Sequence, residues 1–103
     1  MKNILVPIGS TENSINTLQY AIDFANEINA NVYALRAYNV QSKAGTIIDV
    51  TSIVERESNL YLRSMINAVN RRGKDVQLIS AKGNVVDSIA AIDKEIGVDL
   101  IVM

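Results

Sequence analysis

Histidine and cysteine are both absent from the 103 residues. Their absence removes the commonest general base, the commonest metal ligand and every thiolate nucleophile. Carboxylates, hydroxyls and glycine-bearing turns remain. Asp23, Glu27, Glu55, Glu57, Asp93 and Glu95 fall on segments with helical spacing, mostly opposite the apolar stripe, and read as solvated faces. Asp49 lies in an irregular stretch and Asp99 opens an apolar run. No pair is spaced for general acid and base work, so neither a catalytic residue nor a metal site is expected. The turn Gly9-Ser10-Thr11 offers amides and hydroxyls that either cap a helix or hold a phosphate, the plain cap being the simpler reading. Neither G-x-x-x-x-G-K-[ST] nor G-x-G-x-x-G occurs. The cluster Arg71-Arg72-Gly73-Lys74 stands at a helix end, where compensation of the helix dipole accounts for it, and no nucleic-acid partner is expected.

Composition narrows the class further. Hydrophobic residues make up 49% and aromatics only 5%, so the core of one domain must be built from Ile, Val, Leu and Ala. A formal net charge of −1 supplies no general attraction to nucleic acid or acidic lipid. No apolar run approaches the roughly 18 residues that a membrane helix needs. The start, Met1-Lys2-Asn3 running into Ile4-Leu5-Val6, lacks the pattern of a signal peptide, and a cytoplasmic location is expected.

The elements that would position any site follow from the apolar period, which switches regularly between two kinds. Ile4-Leu5-Val6, closed by Pro7, is a short continuous run suited to a strand buried on both faces. From Ser14 onward Ile15, Leu18, Ile22, Ala25 and Ile28 form a helical stripe, with Ser10 or Thr11 as its cap and Glu12 at its positive end. Residues 32–38 read as a second strand, and 39–50 as a surface loop. Ser52 and Glu55 have the spacing of a capping box for a long helix with the stripe Val54, Tyr61, Leu62, Met65 and Val69. Arg71 and Arg72 suit its negative end, and Gly73 stops it. Residues 76–81 are a third strand. Asn84 caps a third helix with the stripe Val85, Ile89, Ile92 and Ile96, and Gly97 ends it. Residues 99–103 are a fourth strand.

The order is βαβαβαβ, with no hairpin signal between successive strands. Right-handed crossovers then give an α/β fold: an open parallel sheet with helices on both faces. Ligands of such sheets bind outside the strand carboxyl ends, where strand order reverses. That rim carries Pro7-Ile8-Gly9-Ser10-Thr11, Ala37-Tyr38-Asn39, Ala81-Lys82-Gly83-Asn84 and Met103.

Lys2-Asn3-Ile4-Leu5-Val6-Pro7-Ile8, followed by Glu12-Asn13-Ser14, resembles the opening of the universal stress protein family. Gly83 before the third helix and Gly97-Val98-Asp99-Leu100-Ile101-Val102-Met103 are similar to that family's later segments. The resemblance implies strand order 3-2-1-4, continued by a fifth strand in the intact fold, with cytoplasmic roles in stress tolerance and self-association as a homodimer. It implies ATP or a related adenine nucleotide at the strand carboxyl ends. By position Pro7, Ile8 and Gly9 would border base and ribose, Ala37 would face adenine, and Met103 would precede a glycine-rich phosphate loop, G-x2-G-x9-G-[ST].

Two departures qualify that implication. The family's aspartate after the segment matching Pro7-Ile8 is replaced by Gly9 in an ungapped match, or deleted if a gap is allowed, and the phosphate loop, fourth helix and fifth strand are not within the 103 residues. The apolar strand at residues 99–103 is expected to belong to a longer protein, and no tight nucleotide binding is expected of this stretch. Two functions follow as expectations: a non-catalytic regulator that binds a nucleotide, or a nucleotide-free module for dimerisation or protein interaction. An adenylating or flavoprotein-type enzyme is disfavoured, because adenylating relatives use a histidine after the first strand.

Overall fold

The computed structural model describes residues 2–9, 13–39 and 51–103. Its elements are β1 (Asn3–Pro7), α1 (Asn13–Ile28), β2 (Asn31–Tyr38), α2 (Thr51–Ala68), β3 (Val76–Lys82), α3 (Val85–Ile96) and β4 (Leu100–Ile101). All pairings are parallel, as the sequence predicts, and the strand order is β3-β2-β1-β4, as the resemblance implies. The caps expected at Ser10 or Thr11, the neighbouring Glu12, and residues 40–50 of the expected loop lie outside the described residues.

Ile4, Leu5 and Val6 are all 0% exposed, because β1 is covered on both faces. Alternation along the strand sends Ile4 and Val6 to a cluster with Leu18, Ile22, Leu62 and Met65, beneath α1 and α2. Leu5 turns the other way, onto Leu35 and Ile92 beneath α3. Two helices therefore cover one face and one helix the other. Each fully buried Leu or Ile contributes about 1.5–3 kcal/mol by leaving water.

Several local expectations need correction. Ile15 and Ile28 only flank the buried face of α1, at 37% and 41% exposed, and Ala21 takes their place in the core. Val85 is likewise outside the core of its helix. Helix α2 begins at Thr51, so Ser52 sits inside its first turn and is not the cap of a capping box. It ends at Ala68, ahead of Arg71 and Arg72, which stand in the following turn where the Lys74 amide donates to the Arg71 carbonyl at 2.9 Å. Arg72 and Gly73 both take positive φ there, 51° and 81°.

Asn84 does cap α3, its Oδ1 accepting from the Asp87 amide at 2.8 Å, and Gly97 ends it at φ 70°. The fourth strand is shorter than 99–103. Only Leu100 and Ile101 pair as strand, although the Asp99 and Val102 amides still donate to the Asn3 and Leu5 carbonyls at 2.9 and 3.0 Å.

Candidate functional site

Parallel register brings the strand carboxyl ends to one rim. Pro7 stands beside Leu35, and Ala37 beside Ala81. The Ile8 amide donates to the Leu35 carbonyl at 2.7 Å and the Gly83 amide to the Tyr38 carbonyl at 2.8 Å, so β2 and β3 run on past the end of β1 before their own turns. Met103 lies two residues beyond Ile101, whose partner is Leu5, and it is 84% exposed.

The five residues singled out by resemblance are not equivalent. Ile8 is 6% exposed and packed in the core beneath α1 and α2, so its side chain serves the fold and not the rim surface. Gly9 is held by its backbone. Ser14 Oγ accepts from the Gly9 amide at 3.1 Å and donates to the Gly9 carbonyl at 3.2 Å. The Tyr61 hydroxyl donates to the same carbonyl at 3.0 Å, tying α2 to the turn after β1. Ala37 lines a cleft of about 440 Å³ between the end of β2 and α2, bordered by Arg36, Tyr38, Asn39, Glu57, Ser58 and Tyr61. Tyr61 thus touches Gly9 and borders the same cleft as Ala37. Pro7 and Met103 are not among the residues that line it.

The cleft is polar and well braced. The Arg36 guanidinium lies 4.1 Å from the centre of the Tyr61 ring, a cation–π contact that holds both side chains. Behind them Ser58, only 4% exposed, shares a 2.8 Å hydrogen bond with Ser80, and Ser80 donates to Asn59 Oδ1 at 2.6 Å. Partial desolvation, followed by the Glu55 carboxylate, raises the Tyr38 phenol above its ordinary pKa of 10.0. At neutral pH it is therefore a protonated donor.

Arg36, Tyr61 and the Ser58–Ser80–Asn59 chain were not visible as site residues in the sequence. One signal was present. Ser58 falls four residues after Val54 and four before Leu62, so a polar residue occupies a position on the buried stripe. Arg36 alternates onto the same face as Ala34, but only folding places the Tyr61 ring beneath it.

Chemically, the cleft offers an aromatic ring, a guanidinium and several hydrogen-bonding side chains around one space. Among the described residues no three acidic groups are gathered as a metal site would require. Nor, among them, is any helix long and apolar enough to cross a membrane.

The universal stress protein family profile matches residues 1–103. A search of curated proteins gave no match. Among solved structures, a universal stress protein in complex with cAMP is similar with a TM-score of 0.76 and 20% identity, over 99% of this chain and 75% of that one. UspA from Lactobacillus plantarum is similar with a TM-score of 0.74 and 21% identity, over 98% and 74%. A universal stress family protein from Burkholderia pseudomallei gives 0.75 and 20%, over 97% and 78%. At such identities these likenesses speak for the fold, whereas the profile covers the whole chain. The chain belongs to the universal stress protein family.

Proposed function

We propose that this domain is a non-catalytic regulatory module that responds to an adenine nucleotide, with the base seated at the carboxyl rim between β2 and α2. The observation that carries the reading is the cleft at Ala37, about 440 Å³, which falls within the range of small-molecule sites. Its Arg36–Tyr61 pair offers a rigid, partly aromatic wall, and Tyr38, Asn39 and Glu57 offer directional polar groups. A similar structure holding cAMP supports an adenine nucleotide as the ligand class. The non-catalytic part rests on a sequence with neither histidine nor cysteine.

Isothermal titration with ATP, AMP and cAMP tests the reading. Dissociation constants on the order of micromolar or weaker are expected, because this stretch carries no glycine-rich phosphate loop. Ala37→Tyr, which fills the cleft, should weaken all three. Absence of binding at millimolar nucleotide overturns the nucleotide reading, and steady turnover of ATP overturns the non-catalytic one.

A second reading, self-association through β4, is favoured by one observation. Leu100 and Ile101 are 41% and 38% exposed on a strand that, among the described residues, is paired on one side only. Ile101→Lys should then abolish a dimer seen by sedimentation velocity. A wild-type monomer at high concentration sinks this reading.

A further inference from the structure

Ser58 is a polar residue sealed at the base of the rim cleft, and its hydrogen-bonding direction is determined by its neighbours. A hydroxyl owns one hydrogen. Ser80 spends its own on Asn59 Oδ1, at 2.6 Å. The 2.8 Å contact between Ser58 and Ser80 must therefore be donated by Ser58. The chain runs one way, from Ser58 to Ser80 to Asn59, and it leaves Ser58 Oγ with lone pairs only. Donating into such a chain also makes that oxygen a better acceptor.

We infer that Ser58 sets base selectivity in this cleft, accepting a hydrogen bond from the exocyclic amine of a 6-aminopurine and rejecting a 6-oxopurine. The inference rests on the nucleotide reading above and deepens it. Adenine presents an N–H donor at the 6-position, whereas hypoxanthine presents a carbonyl oxygen. Against a Ser58 that can only accept, the carbonyl meets a lone pair and loses its hydrogen bond on burial. Arg36 and Tyr61 hold each other through their cation–π contact at the side of the cleft. Sequence spacing gives no other reason for a serine at this stripe position, and burial would favour an apolar side chain there.

Titration of the full chain with AMP and IMP, which differ only at the 6-position and its adjoining ring nitrogen, tests this. Wild type should bind AMP about tenfold or more tightly than IMP. Ser80→Ala keeps the Ser58 hydroxyl but releases its proton, so that it can turn and donate to a carbonyl. In that variant the AMP-to-IMP ratio should fall toward one while AMP affinity stays within about twofold. A purely structural role for the chain would weaken both nucleotides together and leave the ratio alone. Ser58→Ala should flatten the ratio as well, and Ser80→Ala decides the matter if that variant fails to fold. Equal binding of AMP and IMP by wild type, or a ratio unchanged in Ser80→Ala, overturns this inference and leaves the nucleotide reading standing. Binding of neither overturns both.

Discussion

Asn3 and Asp99 hold each other at both ends of one contact: the Asn3 amide donates to Asp99 Oδ2 at 2.8 Å, and the Asp99 amide donates to the Asn3 carbonyl at 2.9 Å. The Asn3 side chain extends this clamp. Its Nδ2 donates to the carbonyls of Ile96 and Gly97 at 2.9 and 3.0 Å, and its Oδ1 accepts from Asn31 at 3.0 Å. One residue therefore fastens β1 to β2, to the end of α3 and to the start of β4.

Asn3→Ala should cost about 1–3 kcal/mol, since several backbone and side-chain groups lose their partner together. Asp99→Asn keeps an acceptor oxygen and should cost less than half as much. Urea unfolding of the two variants checks the ranking, and equal midpoints would contradict it.

The turn after β1 offers a sharper comparison. Ser14→Ala strips both the Gly9 amide and the Gly9 carbonyl of a partner, whereas Tyr61→Phe leaves that carbonyl its Ser14 bond. We expect losses of about 1–2 kcal/mol for the first and 0.5–1 kcal/mol for the second. Thermal unfolding reads both, and a larger loss for Tyr61→Phe would contradict the assignment.

Gly9 and Gly97 should respond in opposite senses to alanine. A Cβ at Gly9 would meet only Ser14 Oγ, at an ordinary 3.7 Å, and Gly9 is not among the glycines with positive φ. Gly9→Ala should therefore stabilise by about 0.4–1 kcal/mol through the unfolded chain. Gly97 sits at φ 70° past the end of α3, and Gly97→Ala should destabilise by about 1 kcal/mol or more. Chemical denaturation distinguishes the signs. The absence of an acidic side chain at position 9 is thus not imposed by backbone conformation.

Tyr38 should ionise above the ordinary phenol value of 10.0. Its native pKa is raised, so the folded state holds the phenolic proton more tightly than the unfolded chain. Its contribution to stability is complete below the unfolded value of about 10 and is lost as pH rises from there through the raised native value. Ultraviolet titration should show a late ionisation that Tyr38→Phe removes. Loss of an early-titrating group instead would reverse the sign.

Much of the architecture was legible because it depends on local periodicity. The run Ile4-Leu5-Val6 announced a strand covered on both faces, and all three residues are indeed buried. Asn84 and Gly97 announced the limits of α3 through groups close in sequence. Boundaries set by tertiary contact were less legible. Ser52 and Glu55 match a capping box, yet the helix starts one residue earlier, and Arg71 and Arg72 trail an end already reached at Ala68. The rim was legible as a place, through Gly9 and Ala37, but not as a set of side chains. Tyr61 looks like one more member of an apolar stripe until its hydroxyl meets Gly9, 52 residues away in the chain. Ile8 looked like a rim residue because it follows β1, and the pleat turned it into the core.

Strand β1 lies inside the sheet, with β2 on one side and β4 on the other, yet it comes earlier in the chain than either. Its second edge waits for a partner that arrives 96 residues later, as the Asn3–Asp99 separation shows. Long-range closure of that kind is slow compared with the helix-linked pairing of β1 and β2. A strand whose central residues are apolar and buried in the finished fold thus depends, for the cover of its second edge, on the docking of a strand with only two paired residues.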